Sequence, residues 1–251
     1  QGDTGSIYTH DVSGTDSTAQ YNTAYGLNAL DAVTTADRVT AIGFEAGTAV
    51  TSATDSILIG AYAGNSLTEG INNLAIGTQA LNTADTEANN LAIGRSALTT
   101  VNSGGEYNIA IGNYSLDALT SGDNNVAVGY NAGTALTTGS ENSFFGYQAG
   151  LAHTTGTRVT AIGRNAYYRG DGENDNIAMG YVALGGNLSG GEFNVAIGNY
   201  SMENLTSGDS NTVVGHQAGK ATTTGEQNVI IGRDAMLVAT TSNYNVVIGS
   251  N

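Results

Sequence analysis

The sequence contains no cysteine, no proline and no tryptophan, and only 7 of its 251 residues are lysine or arginine. Without cysteine the chain forms neither a disulfide nor a thiolate metal site. The 22 acidic residues give a net charge of −15, which disfavours nucleic acid and anionic membranes as partners. Apolar runs extend over only a few residues, so we expect no membrane insertion.

Glycine, in contrast, is abundant at 36 residues, and much of it recurs at a fixed interval of 17 residues, with two steps of 18. A fixed period of this size is typical of a repeat architecture. We therefore predict one elongated repeat domain over residues 21–251, with about 14 coils. Residues 1–20 are interpreted as an N-terminal connector, with the end of a collagen-like stalk as the alternative. The repeating glycines are Gly26, Gly43, Gly60, Gly77, Gly94, Gly112, Gly129, Gly146, Gly163, Gly180, Gly198, Gly215, Gly232 and Gly249.

A short apolar segment precedes each repeating glycine. The residue directly before the glycine is large and apolar, and the residue before that is mostly alanine. Because neighbouring strand residues point to opposite faces, both faces of this segment are apolar, as in a strand that is buried on two sides. Alanine or serine follows three residues after the glycine and marks a second short strand or a bend. The rest of each coil is a turn rich in Thr, Ser, Gly, Asn and Asp.

This pattern predicts an all-β fold, a parallel β-solenoid or β-roll with 17-residue coils, in which equivalent residues form ladders. The side chains on one face of each strand fill the interior of the coil. Those on the other face form an apolar stripe on the outside, which favours a parallel homotrimer. We place the large column towards the trimer axis and the alanines inside the coil. The structural ladder then includes Gly43, Gly77, Gly112, Gly129, Gly198, Ile76, Ile93, Ile111, Ile197 and Ile231.

A longer repeat is superimposed on the coils. The two 18-residue steps carry the same insertion, Ser103-Gly104-Gly105 and Ser189-Gly190-Gly191, which lie 86 residues apart. This spacing equals five coils and indicates duplication of a block.

The coil motif resembles a known family. Asn-x-[Val/Leu/Ile]-Ala-Ile-Gly followed by x-x-Ala resembles the head repeats of trimeric autotransporter adhesins, the YadA-like β-roll. The segments Asn125–Gly133 and Asn142–Gly150 look still more like phage tail-fibre repeats. The resemblance implies a homotrimeric structural or adhesive fibre at the virion surface or outside the cell, with a cell-surface glycan or protein as receptor. The head of a bacterial adhesin and, as a third alternative, an ice-binding solenoid remain open.

Few residues point to chemistry. His10, His153 and His216 fall in unrelated places and are interpreted as exposed surface histidines. The turn with Asp171, Glu173 and Asp175 is a weak Ca²⁺ candidate, because carboxylates suit hard cations, but we interpret it as a solvated turn. We therefore expect no enzymatic activity, no cofactor and no metal.

Tyrosines follow several of the repeating glycines. Packing between coils is our preferred interpretation, and stacking on sugar faces is the alternative. The tyrosines in question are Tyr62, Tyr114, Tyr130, Tyr147, Tyr181 and Tyr200.

The chain stops at Asn251, directly after a strand. An uncapped solenoid end exposes unpaired strand groups, so we expect the native gene to continue beyond this residue. The continuation would encode a tip domain or a chaperone that is removed after trimerisation, as in the tail-fibre proteins that the chain resembles.

Overall fold

The computed structural model describes residues 7–8 and 18–250, which divide into two compact units, Gln1–Asn125 and Val126–Asn251. The described part of the first unit contains seven short strands. They are β1 (Ile7–Tyr8), β2 (Thr23–Tyr25), β3 (Thr40–Ile42), β4 (Ile57–Ile59), β5 (Leu74–Ile76), β6 (Leu91–Ile93) and β7 (Ile109–Ile111). The first strand lies inside the segment that we interpreted as a connector, so coil structure occurs within it.

The described part of the second unit contains eight further strands. They are β8 (Val126–Val128), β9 (Ser143–Phe145), β10 (Thr160–Ile162), β11 (Ile177–Met179), β12 (Val195–Ile197), β13 (Thr212–Val214), β14 (Val229–Ile231) and β15 (Val246–Ile248). In each unit, every strand pairs in parallel with the next strand in sequence.

The strands pair in register at equivalent coil positions. Leu74 lies opposite Leu91, and Ile76 lies opposite Ile93 one coil further on. This register confirms the predicted all-β parallel solenoid with 17-residue coils within each unit. The segment after each glycine is a turn rather than a second strand, which decides between the two alternatives that the sequence left open.

The middle residue of each strand points into the coil, and the two residues beside it point outward. The alanines at the middle position are completely buried, as predicted. The coil interior is narrow, so a large side chain at one inward position requires a small residue at the position that faces it. Where Phe144 replaces the usual alanine, the neighbouring inward position is Gly150, and a Cβ there would lie only 2.7 Å from the Phe144 ring. In this coil the large Phe144 ring is therefore accommodated by the missing side chain of Gly150.

The repeating glycines are required for two reasons. Gly94 has φ of 135°, a conformation that residues with a side chain rarely adopt. A Cβ on Gly94 would also lie 2.6 Å from the carbonyl carbon and oxygen of Gly112 in the next coil. The glycine column therefore holds one backbone directly against the next, and an alanine would push the coils apart.

Asparagines four residues before the glycines form a buried ladder. The Asn211 side-chain amide donates to the Gly225 carbonyl at 2.8 Å, and its oxygen accepts a hydrogen bond from the Asn228 backbone N–H at 3.0 Å. Asn194 and Asn228 repeat the same pattern with their own neighbours. These side chains satisfy backbone groups that the turn leaves without a strand partner.

Candidate functional site

The outward face of the strands is the first candidate surface. In the second unit its exposed members include Phe145 (40% exposed), Ile162 (38%) and Ile197 (37%). In the first unit Ile42 is exposed to the same degree, 38%. No outward position of β2–β7 or of β8–β15 carries a charged residue, although the chain has a net charge of −15. Each unit therefore has one face on which acidic repulsion is absent and apolar side chains remain accessible to solvent.

A second surface follows the turn just after the glycines of the second unit. We call it the aromatic strip and define it as Tyr130, Tyr147, Arg164, Tyr181, Tyr200 and His216. Tyr130 and Tyr147 are stacked, with ring centroids 5.5 Å apart and an interplanar angle of 12°. The Arg164 guanidinium lies 5.5 Å from the centre of the Tyr147 ring and 5.8 Å from that of Tyr181.

The aromatic strip continues through two perpendicular ring pairs. Tyr181 and Tyr200 lie 5.1 Å apart at 89°, and Tyr200 and His216 lie 6.2 Å apart at 84°. Packing between coils, the interpretation preferred from the sequence, is therefore observed. Exposure differs along the strip, since Tyr130 and Tyr147 are each 44% exposed, whereas Tyr181 and Tyr200 are half-buried.

A third feature is a polar cluster inside the second unit, and it corrects one expectation. His153 was expected to be an exposed surface histidine, but it is completely buried. It occupies the inward position seven residues after Gly146, where the preceding coil has Leu136. Its ring packs edge-to-face against Phe144 at 5.8 Å and Tyr167 at 5.4 Å. The residue seven positions after each repeating glycine points into the coil, and this regularity was the signal that could have revealed the burial of His153.

Neither ring nitrogen of His153 has a hydrogen-bond partner in the described structure. Burial lowers the pKa of His153, and the nearby Gly156 backbone and Glu173 carboxylate oppose that shift only in part. Burial, together with the Glu173 carboxylate, likewise raises the pKa of Tyr167 above its usual range. Both side chains are therefore neutral at physiological pH.

The weak Ca²⁺ candidate residues do not converge. Glu173 is only 6% exposed and points inward, where its carboxylate accepts hydrogen bonds from the Asp171 and Gly190 backbone N–H groups at 2.9 Å. Asp175 points outward to Arg158, with 2.6 Å between Oδ1 and Nε, and this pairing lowers the pKa of Asp175. Asp171 accepts a hydrogen bond from Thr154 at 2.6 Å. Among the described residues no cluster of three or more His or acidic side chains is placed to bind a metal.

A buried glutamate accompanies each of the two 18-residue coils. Glu173 binds the N–H of Gly190, which belongs to the insertion in the following coil. Glu87 binds the N–H of Gly104 at 3.0 Å in the equivalent insertion of the first unit. Each insertion therefore has a buried carboxylate that satisfies its extra backbone donor.

The threonine-rich turns bear on the ice-binding alternative. Thr137, Thr206 and Thr223 each donate their hydroxyl hydrogen to the carbonyl of the equivalent residue in the next coil, at 2.9–3.0 Å. The same column contains Asp85 and Asp171. These hydroxyls connect coils, and the column is interrupted.

A comparison of the chain with protein-family models, curated proteins and solved structures found no significant match. Within the described residues, no helix has the length and hydrophobicity needed to cross a bilayer. The function is therefore inferred from the surfaces of the chain.

Proposed function

We propose that this chain is a structural and adhesive segment of a fibre, a parallel homotrimer that acts at a virion surface or outside the cell. The observation that carries the proposal is the outward strand face, which is apolar and free of charge in both units. A face of this kind is stabilised when it is covered. Another copy of the chain offers the same face with the same coil spacing, so parallel copies match along the ladder.

A closed threefold arrangement fits this face better than an open one. Cyclic symmetry covers the same stripe on every copy and leaves no apolar face unpaired. The acidic residues, which would repel one another between copies, lie outside the outward strand positions. The interior of each coil is already filled by buried side chains, so the outward face is the part that self-association can cover.

The internal structure suits a stiff scaffold. Strands, the asparagine ladder and the glycine column each connect one coil to the next within a unit. No cluster that resembles a catalytic site emerges from the described residues, and the proposal assigns the chain no enzymatic activity.

Light scattering after size exclusion tests the proposed trimer. We expect a mass close to three times the chain mass of 25.4 kDa. Ile111→Asp places a charge on the outward face and should dissociate the trimer. The matched control Thr138→Asp, on an exposed turn, should leave the mass unchanged. A monodisperse wild-type monomer would refute self-association, and a stable dimer would refute the threefold arrangement.

A further inference from the structure

We propose that the polar cluster inside the second unit is an acid-sensitive switch, which opens the coils around it when His153 takes up a proton. The cluster consists of His153, Tyr167, Glu173 and Asn176, and all four residues are buried. The inference goes beyond the proposed fibre role, because it gives this unit a local response to pH that does not depend on assembly. His153 is the residue that responds, since imidazole is the side chain that ordinarily titrates just below neutral pH.

The closed coil does not accommodate a charge on His153. The ring packs edge-to-face against Phe144 and Tyr167, and a Cβ on Gly156 would collide with it. Neither ring nitrogen has a hydrogen-bond partner in the described structure, whereas a protonated imidazole has two N–H donors to satisfy. Burial lowers the pKa of His153 by more than the nearby backbone of Gly156 and Asp171 raises it. The proton is therefore bound more readily once the coil has opened to water.

Three titratable groups face the His153 ring, and all of them come from the coil that follows it. They are Tyr167, Glu173 and Asp171, whereas the equivalent inward position of the preceding coil is Leu136, which does not titrate. The side chain of Asp171 is exposed, so water weakens its effect on a charge inside the coil. Among these groups, Glu173 is therefore the one buried anion that could balance a protonated His153.

The Glu173 carboxylate is already engaged with other donors. It accepts hydrogen bonds from the Tyr167 hydroxyl at 3.2 Å and from the N–H groups of Asp171 and Gly190 at 2.9 Å. Gly190 belongs to the insertion that lengthens its coil to 18 residues. If the carboxylate turned to a protonated His153, the insertion would lose this hydrogen bond. A proton on His153 therefore leaves either an unbalanced buried charge or an insertion without its anchor, and both favour an open state.

The first unit contains the same arrangement without the histidine. Its buried glutamate, Glu87, accepts a hydrogen bond from the Gly104 N–H at 3.0 Å in the equivalent insertion. The position equivalent to His153, 86 residues earlier in the sequence, is Leu67, which is completely buried. The position equivalent to Tyr167 is likewise a buried leucine. Because leucine does not titrate, we expect the response to acid in the second unit and not in the first.

The test is hydrogen–deuterium exchange of the full chain at pH 7 and pH 5, with protection factors corrected for the intrinsic exchange rate at each pH. One proton taken up on opening changes the opening constant by up to about tenfold per pH unit below the free histidine pKa of about 6.5. We therefore expect protection over residues 150–190 to fall by about tenfold between the two pH values. The equivalent segment of the first unit, residues 64–104, is the matched control and should change by less than about twofold.

Two variants connect the response to the histidine. His153→Leu, which introduces the residue of the first unit, should abolish the loss of protection over residues 150–190 at pH 5. His216→Leu makes the same replacement at an exposed position outside this segment and should keep the wild-type response. An acid response that persists in His153→Leu would overturn the proposal. Unchanged protection over residues 150–190 in wild type, or an equal loss in both segments, would overturn it as well.

Discussion

Replacing His153 with leucine should stabilise the protein, and more strongly at acidic pH. His153 is completely buried, and both of its ring nitrogens lack a hydrogen-bond partner. The equivalent inward position of the preceding coil is Leu136, which shows that the column accepts leucine. The substitution removes two unsatisfied polar atoms and keeps a side chain of similar size against Phe144 and Tyr167.

The expected magnitude has two parts. Leaving a buried polar group unsatisfied costs about 1–3 kcal/mol, so the variant should gain roughly that amount at neutral pH. The second part depends on pH, because burial lowers the pKa of His153 in the folded state. Below the unfolded-state pKa of about 6.5, the unfolded chain binds a proton that the folded chain resists, so wild-type stability falls by up to about 1.4 kcal/mol per pH unit. This loss levels off once the pH passes below the folded-state pKa.

The measurement is thermal or denaturant unfolding of wild type, His153→Leu and His216→Leu between pH 8 and pH 4.5. At neutral pH we expect His153→Leu to melt higher by about 2–4 °C for each kcal/mol gained. The difference between this variant and wild type should widen as the pH falls below 6.5. His216→Leu is the matched control, because it makes the same replacement at an exposed position and should not reproduce the gain at neutral pH.

The titratable groups that surround the His153 ring are Tyr167, Glu173 and Asp171. They are present in wild type and in both variants, so the difference between the curves reports the histidine together with its coupling to these groups. A His153→Leu variant that is less stable than wild type at neutral pH would refute the unsatisfied-nitrogen argument. A difference that stays constant between pH 8 and pH 4.5 would refute the titration argument.

Two further substitutions test the glycine column and the asparagine ladder, each by its midpoint in denaturant. Gly180→Ala should lower the free energy of unfolding by about 2–5 kcal/mol, because φ is 138° and the new Cβ would lie 2.6 Å from the Gly198 carbonyl. Gly190→Ala, with φ of 104° and no atom within 4 Å of the new Cβ, should lower it by only about 1–2 kcal/mol. Equal losses in the two variants would show that backbone contact between coils is not the constraint. Asn211→Val should lower the free energy of unfolding by about 2–4 kcal/mol, because it leaves the Gly225 carbonyl and the Asn228 N–H without their partner. An unchanged free energy of unfolding would show that these groups find other partners.

The sequence alone was sufficient for the architecture of the coil because a repeat is a redundant signal. The 17-residue glycine period and the alternation of alanine with large apolar residues occur many times, so the strand positions and the inward alanines could be predicted before the structure was known. The structure confirms both within each unit, at strands such as β5 and β6. Local steric and hydrophobic rules fix these features, and each coil repeats the same local rules.

The sequence did not reveal the roles of individual polar residues, because those roles depend on contacts between coils. His153 and Glu173 look like ordinary turn residues until the register of the coil turns both of them inward. Whether Asp175 belongs to a metal site or to an ion pair depends on Arg158, which lies 17 residues away in sequence and 2.6 Å away in space. Tyr130 and Tyr147 pack on each other between coils and are still 44% exposed, whereas Tyr181 and Tyr200 are half-buried, and the sequence pattern did not distinguish them. Periodicity therefore determined which residues form columns, whereas the stacking of one coil on the next decided which side chains are paired, buried or exposed.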